Sequence, residues 1–158
     1  MAIEYTLLLK DKRLSKDVLI KKIESLSFSC SKVEQLAKGI CINLNEEIGF
    51  SAFLLDAGNY PYNLWETTFF AGDFIFERTL NFRMVMEYLN FEKRYNVMLR
   101  ILFDLATELN EDAILVSNWD TELCLFRKNK SIVLNNETGV WSNDCFKNII
   151  VNRDVYYK

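Results

Sequence analysis

The stretch Phe74-Ile75-Phe76-Glu77-Arg78-Thr79-Leu80-Asn81-Phe82-Arg83-Met84-Val85-Met86-Glu87-Tyr88 decides the fold. Its even positions, Phe74, Phe76, Arg78, Leu80, Phe82, Met84, Met86 and Tyr88, are apolar except Arg78, while Glu77, Thr79, Asn81, Arg83 and Glu87 fall between them. A side-chain period of two held this long describes a strand with one face on a core and the other in water. Fifteen residues exceed the usual strand length, so the pattern predicts a bulge or break near Arg78. The period then changes. Asn90 is a good N-cap, Glu92 suits the positive first turn, and Phe91, Tyr95, Met98, Leu102, Leu105 and Leu109 recur every three or four residues, with Ile101 widening the stripe. This spacing predicts one amphipathic helix ending near Leu109.

Upstream of this pair, residues 3–10 read as a strand. Ser15 then offers an N-cap and Asp17 a first-turn charge to a helix whose apolar stripe is Leu19, Ile20, Ile23 and Leu26. Short strand-like pieces follow at 28–33, 39–44 and 48–55, and 56–63 holds the only proline with Gly58, Asn59 and Asn63, the chemistry of an exposed loop. Downstream, three short apolar runs at 113–116, 122–126 and 131–134 are joined by turn-like links, which predicts an antiparallel meander. The tail, with Phe146, Ile149, Ile150, Val151, Tyr156 and Tyr157, is compatible with a strand or a short helix. The order β-α-β(n)-α-β-β-β predicts an α+β fold, an antiparallel sheet with two helices packed on one face, in a single domain over residues 1–158.

Composition narrows the function classes. The chain has 158 residues, half of them apolar, with 19 Lys or Arg, 22 Asp or Glu and a net charge of −3. A sequence isoelectric point near 5.1 has the wrong sign for a nucleic-acid partner. The complete absence of histidine removes Ser/His and Cys/His nucleophile pairs and His-containing zinc sites. Cys30, Cys41, Cys124 and Cys145 are too far apart for a CxxC motif, so free thiols in a reducing compartment are expected, with no metal and no cofactor. The early apolar run is only Leu7-Leu8-Leu9, and no stretch reaches the roughly 18 apolar residues a membrane helix needs, which gives the expectation of a cytoplasmic protein without a membrane partner.

Charge is distributed in blocks. Residues 39–77 carry Glu46, Glu47, Asp56, Glu66, Asp73 and Glu77 with no Lys or Arg, and residues 101–126 carry Asp104, Glu108, Glu111, Asp112, Asp120 and Glu122, again with none. Each block is −6 and each is bordered by basic segments. The first also holds Tyr60, Tyr62, Trp65, Phe69 and Phe70, and Trp119 sits beside acid in the second. Rings interleaved with carboxylates are the composition of a protein interface that meets a basic surface. The candidate contact residues are therefore Asp56, Tyr60, Tyr62, Trp65, Glu66, Trp119, Asp120 and Glu122. A plainer reading folds the loop back so that Trp65, Phe69 and Phe70 cap the core. Carboxylate pairs such as Asp73 with Glu77 or Asp120 with Glu122 could serve acid/base chemistry, but nothing in the pattern places them in one cleft, and no enzyme activity is expected.

Residues 109–135, Leu109-Asn110-Glu111-Asp112-Ala113-Ile114-Leu115-Val116-Ser117-Asn118 through the strand ending Leu125-Phe126 and the run Ile132-Val133-Leu134-Asn135, carry a resemblance. A helix end, Asp-Ala-apolar-Leu, an Asn-centred turn and a last strand ending in Leu-Asn resemble the Sit-type immunity proteins that bacteria make against exchanged polymorphic toxins. The opening strand, the first helix and the long alternating strand are similar in order. Trp119 stands where the family pattern favours glycine. The resemblance implies a non-enzymatic immunity protein that binds and neutralises a cognate toxin delivered by a neighbouring cell, and the acidic, aromatic blocks suit a toxin with a basic surface, such as a nuclease. A small acidic adaptor module with a host-protein partner is the alternative.

Overall fold

In the computed structural model, which describes residues 3–158, the alternating stretch breaks next to Arg78, as its length requires. The strands are β1 (Ile3–Leu9), β2 (Val33–Leu36), β3 (Gly39–Leu44), β4 (Phe50–Asp56), β5 (Leu64–Glu66), β6 (Asp73–Ile75), β7 (Arg78–Met84), β8 (Ala113–Ser117), β9 (Thr121–Phe126), β10 (Ile132–Leu134) and β11 (Val155–Tyr157). The α-helices are α1 (Lys16–Ser25), the single turn α2 (Asn45–Ile48), α3 (Phe91–Glu108) and α4 (Asp144–Ile149). Nine strands form one sheet in the order β11-β10-β9-β8-β1-β7-β4-β3-β2, antiparallel except between β10 and β11, while β5 and β6 pair as a separate ribbon. The fold is α+β.

β1 occupies the centre because its Leu7-Leu8-Leu9 run is apolar on both faces, and a strand buried on both faces needs no alternation. Leu7 and Leu9 join the larger core beneath the helices, with Leu19 and Ile23 of α1, Phe82 of β7 and Met98, Leu102 and Leu105 of α3. Leu8 points the other way, into a second core with Ile114, Val116, Leu125 and Val133. Both long helices start as their caps dictate: the Ser15 hydroxyl accepts from the Val18 amide at 3.2 Å and the Asn90 side chain from the Lys93 amide at 3.2 Å.

Three expectations are corrected. The even residues of 74–88 do not share one core face: Phe74 and Phe76 belong to the second core, whereas Leu80, Phe82 and Met84 belong to the first. The irregular pair Phe76-Glu77 lets the chain cross from one side of the sheet to the other. The helix layer holds a third member, α4, because Phe146, Ile149 and Ile150 pack on the first core, and the tail supplies both a helix and the edge strand β11. The strand expected at 28–33 begins only at Val33. Between β7 and α3 the chain is pinned by buried Arg94, whose Nη1 donates to the carbonyls of Val85 and Gly49 while its guanidinium lies 5.0 Å from the Phe91 ring.

Where the β1–α1 and α3–β8 connections meet, Arg13 Nη1 donates to the Leu109 and Asn110 carbonyls at 3.4 and 3.2 Å. Beside it lies Glu111, 2% exposed, with neither carboxylate oxygen hydrogen-bonded and with Arg13 Nε 3.9 Å away. Burial, reinforced by the charge of Asp11 and only partly offset by Arg13, pushes the Glu111 carboxyl up to about 7 from the usual 4.5. A carboxyl raised on folding favours the native state fully below pH 4.5 and progressively less as pH climbs through 7. Glu111→Gln is therefore expected to raise stability by less than about 1 kcal/mol at pH 5 and by about 3 kcal/mol at pH 8. Urea unfolding at the two pH values checks this; an equal effect at both would contradict the burial of an ionisable group there.

Candidate functional site

The segment between β4 and β7 forms a flap over the face of the sheet that the helices leave open. Its ribbon pairs Leu64 with Ile75, Trp65 with Phe74 and Glu66 with Asp73. Alternation sends Trp65 and Phe74 inward, where they pack on the second core, and leaves Glu66, Asp73 and Ile75 exposed on the outer surface. Phe69 closes the second core and Phe70 is exposed. Folding back and display thus both occur, residue by residue: Tyr60 and Tyr62 are fully presented to solvent while Trp65 is half-buried.

What holds the flap down is Glu122. A register shift between Leu115 and Val116 in the β8–β9 pairing sets Glu122 opposite Val116, on the flap side. The residue is 7% exposed and its carboxylate accepts from Trp65 Nε1 at 3.1 Å, Thr67 Oγ1 at 2.6 Å, the Thr68 amide at 2.8 Å and Thr68 Oγ1 at 2.7 Å. Four donors on one buried carboxylate replace its lost hydration without a basic partner. Glu122 is thereby placed as an anchor beneath the surface.

The β8–β9 turn stands beside the flap. The Asp120 amide donates to the Ser117 carbonyl at 3.1 Å, and both central residues have positive φ, Asn118 at 52° and Trp119 at 56°. Two successive positive φ values are a hairpin geometry in which glycine is favoured second. Asn118 earns its position by exchanging two 2.9 Å hydrogen bonds with the backbone of Glu4. Trp119 has no such compensation. A bulky residue in the left-handed region costs of order 1 kcal/mol, and Trp119 remains 46% exposed with its ring 6.4 Å from that of Trp65.

The candidate residues are only partly gathered. Trp65, Glu66, Trp119 and Asp120 come together at the flap and turn, with Tyr60 and Tyr62 on the same flap. Asp56 lies at the opposite ends of the strands: the register sets it level with Arg78, Leu9 and Ala113, whereas Ser117 is level with Tyr5. There its Oδ1 accepts from Arg78 Nη2 at 2.8 Å and Nε at 3.0 Å, with Lys12 3.8 Å from Oδ2. Of the acidic blocks, Asp104 pairs with Lys22 and Arg153 at 3.1 Å each, Glu108 with Lys22 at 3.1 Å and Glu46 with Lys32 at 3.0 Å. Asp112 accepts from the Lys128 amide at 2.9 Å. Among the described residues, Glu66, Asp73 and Asp120 have no basic side chain within 4.0 Å. Glu66 and Asp73 face each other across the ribbon, an arrangement that repels.

Sequence reasoning missed Asp73 and Ile75 as members of this surface. The signal was present: Ile75 between Phe74 and Phe76 interrupts the alternation and marks a strand whose second face is also apolar. Among the described residues no group of three His, Cys, Asp or Glu side chains is arranged to hold a metal ion, and no helix is long and apolar enough to cross a membrane. All four cysteines are free.

A protein-family model described as SitI3-like matches residues 3–145, which takes in the sheet from β1 to β10, the flap and α3. No curated protein and no solved structure matches the chain. The geometry separates two roles by experiment. Trp119→Gly, which removes ring contact and backbone strain together, is expected to keep stability within about 1 kcal/mol of wild type. Glu122→Ala, which leaves buried donors unpaired, should cost about 2–3 kcal/mol and speed amide exchange at 64–70. Denaturant midpoints and exchange rates check both, and a Trp119→Gly loss as large as that of Glu122→Ala would make the turn a structural element only.

Proposed function

Because the chain belongs to the SitI3-like family of Sit-type immunity proteins, we propose that it binds and neutralises a cognate toxin delivered by a neighbouring cell, using the flap and the β8–β9 turn as the contact face. One observation carries the choice of face. Glu66, Asp73 and Asp120 stand without ion pairs near exposed Ile75 and Trp119, with exposed Tyr60 and Tyr62 farther along the same flap toward Lys38, whereas Asp56, Asp104, Glu108 and Glu46 are already paired. A folded chain gains nothing from an unpaired, repelling carboxylate pair and a strained exposed indole unless a partner completes them.

The partner's complementary surface is basic. Unpaired carboxylates speed encounter with a basic toxin and reject acidic proteins, and the exposed rings supply contact area at little rotamer cost. Masking a basic surface fits a nuclease toxin, whose substrate needs the same positive groups. The action is stoichiometric, occurs in the cytoplasm of the protected cell and needs no cofactor. Within this face Trp65 and Glu122 position the flap while Tyr60, Tyr62, Glu66, Trp119 and Asp120 make contact; Asp56 serves the fold through Arg78.

Co-expression with the toxin is expected to rescue growth. The triple variant Glu66→Lys, Asp73→Lys, Asp120→Lys should keep the wild-type thermal midpoint and lose at least about 100-fold in affinity, with the larger part of the loss at low salt. Calorimetric titration of the toxin checks this, and an unchanged dissociation constant would remove the flap from the interface.

A further inference from the structure

On the helix-covered side, away from the flap, a cavity of about 460 Å³ opens between the starts of α3 and α4, lined by Tyr5, Phe91, Glu92, Tyr95, Asp144 and Phe146. Three of its rings form a mutually packed floor, Tyr5 to Tyr95 at 5.7 Å, Tyr5 to Phe146 at 6.1 Å and Tyr95 to Phe146 at 6.2 Å. Phe91 forms an exposed wall. The Tyr5 hydroxyl, on a residue 7% exposed, donates to the Tyr95 hydroxyl at 3.5 Å and puts a polar group at the cavity floor. Glu92 and Asp144 are exposed, and among the described residues neither has a basic side chain within 4.0 Å.

We propose that this cavity receives a basic side chain, lysine or arginine, of a polypeptide partner, its charged head between Glu92 and Asp144 and its aliphatic stem against the rings. Aromatic faces attract cations, and carboxylates at the mouth add direct attraction. Arg94, buried beneath and 5.0 Å from the Phe91 ring and 5.8 Å from that of Tyr95, already uses these rings in this way from the inner side. Its charge opposes an incoming cation, but two carboxylates outweigh one guanidinium. The local sign is visible at Cys145, whose thiol is pushed up by burial and by the charges of Glu92 and Asp144. Each carboxylate also sits in a helix first turn, where it is favoured by the backbone dipole. That accounts for each separately and not for their meeting over an aromatic floor. The occupant is a polypeptide rather than a free amine because exposed Met86 and Leu89, the latter 90% exposed, closely precede Phe91 in the chain and offer apolar surface to further residues of a peptide.

The test is a titration of the ¹⁵N-labelled full chain with three blocked amino acids, N-acetyl-lysine, N-acetyl-arginine and N-acetyl-norleucine methylamides, and with the peptide acetyl-Leu-Lys-Leu-amide. Lysine and arginine should shift amides at 91–95 and 143–146 and bind at least fivefold more tightly than norleucine. The peptide should bind more tightly than blocked lysine. The isosteric double variant Glu92→Gln, Asp144→Asn, whose spectrum elsewhere should overlay the wild type, should erase the difference between lysine and norleucine. Equal binding of norleucine, a difference that survives the double variant, or shifts confined to residues outside 86–95 and 140–146 would each overturn the assignment. A peptide no tighter than blocked lysine would overturn the polypeptide occupant.

Discussion

Four hydrogen bonds converge on the carboxylate of Glu122, and the arrangement of the open face of the sheet depends on them. The strands β1, β8, β9 and β10 turn Leu8, Ile114, Val116, Leu125 and Val133 away from the helices. Uncovered, these side chains would form an apolar patch of the kind that drives association. The flap covers them with Phe74, Phe76, Trp65 and Phe69 of its own, but apolar packing alone does not fix its position. A buried carboxylate is costly unless several donors meet it. Two threonines and an indole supply them, and the same contacts fix where the ribbon lies and which of its sides faces out.

That single constraint separates two kinds of residue that sequence groups together. Trp65 and Glu66 are neighbours, but strand alternation buries one against Glu122 and projects the other into water. Asp120 and Glu122 are two apart, but the bulge in the β8–β9 pairing and the tight turn send one out and one in. The outward members share a surface with the strained indole of Trp119. Unfavourable local choices at the tip of the hairpin and across the ribbon fall on one side of the molecule, while the pairs at Asp104, Glu108 and Asp56 stabilise connections elsewhere. Family membership implies a toxin partner in kind, and the face proposed for it is the one where these unfavourable choices gather.

Much of the framework was legible in the sequence because periodicity is a local property. The switch from period two to period 3.6 at Asn90, the caps at Ser15 and Asn90, and the break beside Arg78 all follow from residues close in the chain. Which face a strand turns to the core is not local. Phe74 and Phe76 continue the same alternation as Leu80 and Phe82 but serve the other core, since two irregular residues suffice to change sides. Charge was misjudged for the same reason. The two acidic blocks contain no base in sequence, but Lys22 reaches Asp104 from 82 positions away and Arg78 reaches Asp56 from 22, so that Glu46, Asp56, Asp104, Glu108 and Glu111 of these blocks have a basic side chain within 4.0 Å. The tail formed both a helix and a strand because its apolar residues pack on a core built entirely from earlier elements.

Neutralisation through this face requires the flap and the hairpin turn to meet the toxin. Hydrogen–deuterium exchange of the full chain, alone and saturated with its toxin, reads this directly, since amides at a protein contact lose access to solvent. The predicted result is slowed exchange at residues 59–66, 73–75 and 118–121, with the helical side from 96 to 108 unchanged. Protection confined to the helices, with the flap and turn exchanging as in the free protein, would contradict it.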